Sequence, residues 1–565
     1  MANLSSARVD VPVRGILARI FRVGFPQVVI VAVVFMYVAS SIGEGHDKDR
    51  QWFVLFRQLL LIAGGTFLGL WALFFAGWSK TYVSVALLVL IGGGWFTLEA
   101  EHSGDLGSTL KVRRWVLHLF NASHEDKIAE QRRERSDRTI DLTPQPEDSP
   151  GYRGWDRTGV VDGPALLPDF NERKPLVVWK QLTYGGFSSF AIVNSFLFTM
   201  EQRLDDEAVV CYDALNGKEC WAHTWPAKFK GTGGEGPRAT PTVDGGEVFA
   251  IGATGLLVCL DGATGTRKWA VDTLQGNKNL SWAMSGSPLV YGDVVVVNPG
   301  TQSQSSAGKA LMAYDRKTGE VVWRSGNAQA GYSSPMLVSL LEHTQILLFD
   351  GQGLAGYDPD DGAELWRHRW TTDQGINVAQ PIVVENVTAT PISFGGVAGG
   401  LGMQPIITRP GEVFIASGYG RGGALLRVES NGEAWSVQEV WTTSRASMRC
   451  KFASPVLFDG HIYGLDDGDL QCISAADGSK KWTDKRIPGE GAGIGHGQLL
   501  LAGDRLVILS EFGEIVLVRA TPERFDELGR MKVLEGKKTW NNPAMSDGRL
   551  YIRNHLEMAC VSLRE

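Results

Sequence analysis

Five times between residues 211 and 482 the chain repeats one ending: CYDALNGKECW (211–221), CLDGATGTRKW (259–269), AYDRKTGEVVW (313–323), GYDPDDGAELW (356–366) and CISAADGSKKW (472–482). In each, a glycine stands four residues before a tryptophan: Gly217, Gly265, Gly319, Gly362 and Gly478 before Trp221, Trp269, Trp323, Trp366 and Trp482. Four of them have an aspartate eight residues before the tryptophan (Asp213, Asp261, Asp315 and Asp358), and Ser474 takes that place in the fifth. An aspartate ending a strand accepts hydrogen bonds from the N–H groups of its own turn. The glycine supplies a positive φ. The chain then returns as a further strand, whose tryptophan caps the gap to a neighbouring sheet. Groups stamped identically on every unit build a fold, whereas a catalytic group is not normally repeated in this way.

A second signature lies upstream in each unit, a polar residue and proline opening an apolar strand: Thr240-Pro241, Ser287-Pro288, Ser334-Pro335, Gln380-Pro381, Ser454-Pro455 and Asn542-Pro543. Segments such as 241–261 and 455–474 then read as two strands joined by Asp-Gly turns. Four short antiparallel strands per unit make a propeller blade. The tryptophan intervals of 48, 54 and 43 residues are each one blade. The expected fold is therefore all-β, an eight-bladed propeller with seven blades as the alternative count. The last unit, 542–563, stops after its third strand. An open edge invites aggregation, so a segment from the other end must close it. Val177–Gln181 with Trp179 fits that place, and Tyr152-Arg153-Gly154-Trp155 is expected to dock beside it.

The first hundred residues are of another kind. Residues 24–43, 58–79 and 81–98 carry no formal charge, and each is long enough as a helix to cross a hydrocarbon core of about 30 Å. Trp52, Trp78 and Trp95 lie near their ends, as an interfacial belt requires. Residues 1–98 are thus expected to be a membrane anchor of three transmembrane helices. Arg8, Arg14, Arg19 and Arg22 place the N-terminus in the cytoplasm, so the propeller of an inner-membrane protein faces the periplasm or exterior. Ala39-Ser40-Ser41 also resembles a cleavage region; its use would leave two spans and the same orientation. The basic stretch from Lys111 to Arg138 pulls the other way. Residues 99–149 read as a charged juxtamembrane connector, with a short helix around Trp115–Phe120 and an exposed helix or spacer over 125–138. The propeller with its docking segment takes 150–565.

Composition narrows the functions. A formal net charge of -7 offers no footprint for nucleic acid. Six scattered cysteines make no disulfide scaffold and no zinc or haem spacing. Most read as small buried side chains; Cys211 and Cys220 flank a turn, where a disulfide is one option.

The repeats resemble those of the pyrroloquinoline quinone (PQQ)-like propeller superfamily, whose blades share a late A-x-D-x-x-T-G-x-x-x-W pattern. The resemblance covers about residues 150–565 and implies the fold. It divides on function, since that superfamily holds quinoprotein dehydrogenases as well as non-enzymatic outer-membrane assembly propellers of the BamB type. Dehydrogenases of this kind carry long insertions that roof the cofactor, and in the alcohol-oxidising branch adjacent cysteines. Here about 49 residues serve each blade, no such cysteine pair exists, and residues 386–410 are the one sizeable insertion. Nor does a Glu/Asn/Asp set for Ca²⁺ stand out; Asp466, Asp467 and Asp469 read as a hairpin turn.

The expected function is a non-catalytic propeller, anchored in the membrane, that binds or scaffolds partner proteins of the cell envelope without a cofactor. The alternative is a membrane quinoprotein dehydrogenase using PQQ and Ca²⁺ on a sugar or alcohol. Any site belongs at the channel mouth, where positions ahead of the inner strands vary from blade to blade: Arg238, Trp282, Tyr332, Lys451, His496 and Asn541. The loops 225–236 and 387–404 are further partner surfaces, the latter with Ile392, Phe394, Val397, Leu401 and Met403.

Overall fold

The computed structural model describes residues 98–102, 108–112 and 124–565, apart from 232–233, 300–308, 374, 385–407, 410, 433, 487–492 and 537. The three expected membrane spans, the helix around Trp115 and the loop 387–404 lie outside the described residues. Among the described residues no helix is long and apolar enough to cross a membrane. The chain divides into two compact units. The first contains an antiparallel hairpin, Leu98–His102 with Ser108–Val112. The second, beginning at His124, contains the repeats.

Eight sheets follow one another through that unit, which settles the count at eight blades. Blade 1 is typical: Ala191–Val193, Phe196–Arg203, Asp206–Asp213 and Glu219–Pro226 pair antiparallel in sequence order. Blade 8 takes Ala544–Ser546, Arg549–Arg553 and Glu557–Ser562 from the end of the chain. Its outer strand is Leu176–Leu182, with Trp179 opposite Cys560. The closing strand sits where the missing fourth strand demanded it.

Alternation along each strand sends side chains to both neighbouring sheets, so the core is eight wedges, each shared by two adjacent blades. Both repeat signatures hold the wedges together. The Ser189 N–H donates to Thr240 Oγ1 (3.2 Å), Thr240 N–H to Ser287 Oγ (2.9 Å) and Ser287 N–H to Ser334 Oγ (2.9 Å). Ser334 N–H then donates to Gln380 Oε1 (2.7 Å) and Gln380 N–H to Ser454 Oγ (3.0 Å). The polar residue ahead of each proline thus ties one inner strand to the next. At the rim, the tryptophan of one blade lies on the turn glycine of the following blade. Trp179 covers Gly217, Trp221 covers Gly265, Trp269 covers Gly319, Trp323 covers Gly362 and Trp441 covers Gly478. Trp221 Nε1 also donates to the Gly262 carbonyl (3.0 Å) and Trp269 Nε1 to that of Arg316 (2.8 Å). Two depart from this: Trp366 donates to Gln345 inside its own blade (2.7 Å), because blade 5 has no Asp–Gly turn to receive it, and Trp482 donates to the Thr521 carbonyl of blade 7 (2.8 Å), whose turn has no glycine.

Antiparallel pairing puts the blade-to-blade connections and the turns between second and third strands on one face, the mouth face. The Asp–Gly turns lie on the other, and that face is closed by the chain's own N-terminal segment. The expected solvated spacer is instead held fast. The helix His124–Gln131 buries Ile128, and Arg132 binds both Glu201 (3.0 Å) and Glu219 (3.1 Å) with its guanidinium 4.9 Å from the Tyr184 ring. Burial works against the charge of Glu201, but Arg132 and Arg203 outweigh it and hold its carboxyl well below the usual range. Ser149 then bridges to Ile192 of the first inner strand, and Pro150 accepts from the Val243 N–H (2.8 Å). Residues 152–158 lie in the channel. Arg153 donates to the carbonyls of Leu499 (3.1 Å) and Pro455 (3.2 Å) on one side. Arg157 donates to those of Ser287 (3.0 Å), Pro288 and Pro335 (2.7 Å) on the other. The chain leaves as Val160–Val161, parallel to the inner strand of blade 7, and seats Phe170 between blades 7 and 8. The docking expected of Tyr152–Trp155 is therefore a plug that enters the axis from the turn face and turns back toward it. The first two strands of blade 5 are Ile382–Val383 and Glu412–Ala416, so the 386–410 insertion falls between them in sequence. Its end, Thr408–Arg409, pairs with Ser339–Leu340 of blade 4.

Candidate functional site

Counting back three residues from the proline of six blades, and from Phe190 and Leu499 in the two that lack it, reaches one equivalent position at the head of every inner strand. It is occupied in blade order by Phe187, Arg238, Ser285, Tyr332, Val378, Phe452, His496 and Trp540. These eight form the channel mouth, above the level at which Arg153 and Arg157 fill the axis.

One side of the ring is a run of stacked rings. Phe187 stacks on Trp540 with centroids 5.7 Å apart, Trp540 lies 4.9 Å from Phe452, and Phe452 meets His496 edge-on at 5.1 Å. Such contacts favour offset or edge geometry, as here. Glu511, from the turn above blade 7, accepts from Trp540 Nε1 (3.2 Å) and the His496 N–H (3.0 Å). Lys538 sits 6.0 Å over the Trp540 ring. On the far side the Arg238 guanidinium lies between Phe187 (5.4 Å) and Phe229 (4.7 Å). Burial lowers its pKa to about 10, against the pull of Glu207 and Tyr332. Burial raises the Tyr332 hydroxyl to about 12, and its ring meets Trp282 edge-on at 6.0 Å.

Arg238, Tyr332 and Trp282 are thus brought together, and His496 joins the aromatic run. Lys451 and Asn541 sit one residue off the ring. Lys451 Nζ is paired with Asp467 (2.6 Å). Asn541 is fully buried and donates to the carbonyls of Gly186 (3.2 Å) and Ser188 (2.9 Å), joining blade 8 to blade 1. Phe187, Phe452, Trp540 and Glu511 were missed in the sequence reading. Fixed spacing from the proline finds Phe452 and Trp540 in hindsight; Phe187 heads a strand without the proline, and Glu511 comes from a turn without a signature. Asp466 and Asp467 do form a hairpin turn, and Arg449 and Lys451 neutralise them. All six cysteines are free, so the Cys211–Cys220 disulfide is not formed in this structure.

The profile of the family described as "Outer membrane protein assembly factor BamB" matches residues 205–484, from blade 1 through blade 6. With eight sheets and the repeat on the page, that match decides the family. The chain is a PQQ-like-repeat β-propeller. Among curated proteins, 1-butanol dehydrogenase (quinone) of Thauera butanivorans is 27% identical over 158 residues, covering 25% of this chain and 24% of that protein. The chain thus matches only about a quarter of that relative's length. Among solved structures, BamB of Moraxella catarrhalis shares 15% identity over 69% of this chain and 97% of its own, with a TM-score of 0.44. A quinohemoprotein alcohol dehydrogenase of Pseudomonas putida HK5 shares 14% over 74% and 80%, with a TM-score of 0.49.

PQQ is a flat tricarboxylate quinone, and in such propellers Ca²⁺ accompanies it. That asks for an open slot between rings, uncommitted cations and several oxygen ligands. Among the described residues of this PQQ-like-repeat propeller no cluster of three or more acidic, His or Cys residues is placed to hold a metal. The rings of the mouth lie on one another, and Lys451 and Arg449 are tied to carboxylates. These residues do not fit that group.

Proposed function

We propose that this chain is a non-catalytic propeller, anchored by its N-terminal spans in the inner membrane, that presents its channel mouth to a partner protein on the periplasmic or exterior side. One observation carries the reading: the chain's own segment 138–171 occupies the turn face and the axis, which leaves the mouth as the surface whose residues vary around the ring. A half-exposed aromatic run flanked by Arg238 and Lys538 suits a protein surface, since aromatic and arginine side chains supply most of the energy at such contacts. The family match to an assembly factor points the same way. The 27% likeness to a quinone-dependent butanol dehydrogenase favours the second reading, a quinoprotein oxidising an alcohol.

A photo-crosslinking residue at position 538 in the full chain, in intact membranes, separates the two. The expected result is a discrete protein adduct, absent when the probe stands at position 317 on the turn face. Recovery of a stoichiometric quinone chromophore, or dye reduction that depends on added PQQ and Ca²⁺, overturns the proposal.

A further inference from the structure

In seven of the eight blades a β-bulge interrupts the pairing of third and outer strands near the tryptophan, leaving one outer-strand residue unpaired beside a third-strand residue. In blade 1 the register jumps from Cys211↔Trp221 to Tyr212↔Glu219, and the skipped residue is Cys220. Elsewhere the skipped residue is Lys268, Val322, Leu365, Val440, Lys481 or Val178. Its third-strand companion is Cys259, Ala313, Gly356, Leu425, Cys472 or Cys560, respectively. Blade 1 alone has a cysteine at both places. Strict alternation would put Cys220 and Trp221 on opposite faces, but the bulge brings Cys220 against the wedge that holds Cys211, Trp221 and Phe198. The skipped Cys220 therefore stands beside Cys211 in the register and packs against the same wedge.

We infer that Cys211 and Cys220 form a dithiol site that closes to a disulfide across the blade 1 bulge when a small-molecule disulfide is supplied. The two thiols are not equivalent. Cys211 is fully buried, which pushes its pKa well up. Cys220 is half-buried; the adjoining Cys211 thiol, with Ser136 and Arg138 nearby, lowers its pKa. Because the thiolate is the nucleophile, Cys220 attacks first. Its sulfur bonds to one sulfur of the reagent RSSR and the reagent's S–S bond breaks. RS⁻ leaves and takes up the proton that Cys220 lost. Cys211 then loses its proton and attacks the Cys220 sulfur, releasing a second RSH. Two protein thiols are oxidised and one external disulfide is reduced to two thiols. The bond would lock the strand whose Glu219 holds Arg132 and whose Trp221 covers Gly265.

Operation in the cell rests on the exterior placement proposed above, because an oxidising compartment supplies the oxidant; the chemistry itself does not depend on it. The test is thiol counting on the purified full chain in detergent, before and after oxidised glutathione, followed by alkylation and a non-reducing tryptic map. Lys218 lies between the two cysteines, so the bond joins two tryptic peptides. Alkylatable thiols should fall from six to four, with that linked pair as the product. In Cys220→Ser the Cys211 thiol should stay reduced. Six thiols surviving oxidation, or linkage of any other pair, overturns the inference, and the wild-type map alone decides if the variant misfolds. A partner that fails to bind leaves this result untouched, so the two proposals fail separately.

Discussion

Glu207 opens the third strand of blade 1 with its carboxyl fully buried. Oε1 accepts from the Ala253 N–H (2.9 Å), while Oε2 has no hydrogen-bond partner. Burial raises its pKa to about 7, so the folded state keeps a proton that the unfolded state loses near 4.5. Stability from this group is therefore greatest below pH 4.5 and declines as pH rises to about 7, by roughly 3 kcal/mol at most. Glu207→Gln removes that decline. Its melting temperature should match wild type near pH 5 and exceed it at pH 8, as scanning calorimetry at the two pH values would show. Arg157 is the opposite case, a buried cation with carbonyls for partners and its pKa lowered by burial to about 9. Arg157→Met leaves three carbonyls without a donor and should cost about 2–4 kcal/mol in a urea melt. The sequence announced neither role. The sequence shows Arg157 as one charge in a polar stretch, and only the seating of 152–158 in the axis reveals its acceptors. The mouth was half legible for a related reason: spacing locates the ring, but at Lys451-Phe452 and Trp540-Asn541 the polar residue was chosen and its aromatic neighbour passed over.

At the scale of the element, the repeat motif is an inter-blade lock. A Cβ on Gly265 would stand 2.5 Å from the Trp221 ring, and φ there is +72°. Gly265→Ala therefore combines backbone strain with a clash and should destabilise by about 1–3 kcal/mol. Gly246→Ala is the informative comparison. Its φ is +78°, yet open space surrounds the added methyl, so the difference between the two in thermal unfolding isolates the tryptophan contact. The outer strand of blade 8 was readable because counting strands exposed a deficit at one end and a Trp179 at the other. A chain starting at residue 183 should lose that strand and with it the Trp179–Gly217 lock. The expected outcome is aggregation on gel filtration where the full chain is monodisperse, since blade 8 would then show a bare edge. The helix at 124–131 was harder to read. Its neighbours in sequence are charged, and the buried acceptors of Arg132, Glu201 and Glu219, lie 69 and 87 residues away.

For the whole molecule, the two faces differ in kind. The turn face carries repeated Asp–Gly turns and the N-terminal segment that plugs the axis, so its surface is committed to the fold. The mouth face carries the ring, where Ser285 Oγ donates to the Tyr332 carbonyl of the next blade (3.2 Å) but the aromatic run is joined by ring contacts alone. This asymmetry leads to a separation of stability from binding. Lys538→Ala together with His496→Ala removes a cation and an edge contact from the rim. Such surface changes usually shift stability by no more than about 0.5 kcal/mol each, whereas truncation at the centre of an interface typically costs 1 kcal/mol or more. The double variant should unfold within a few degrees of wild type and lose severalfold in adduct yield from a crosslinker placed at Tyr332, across the ring. Lys317→Ala on the turn face should alter neither. If the rim pair instead lowers the melting temperature while leaving the adduct unchanged, the mouth is part of the scaffold, and partner recognition has to be sought on the outer strands.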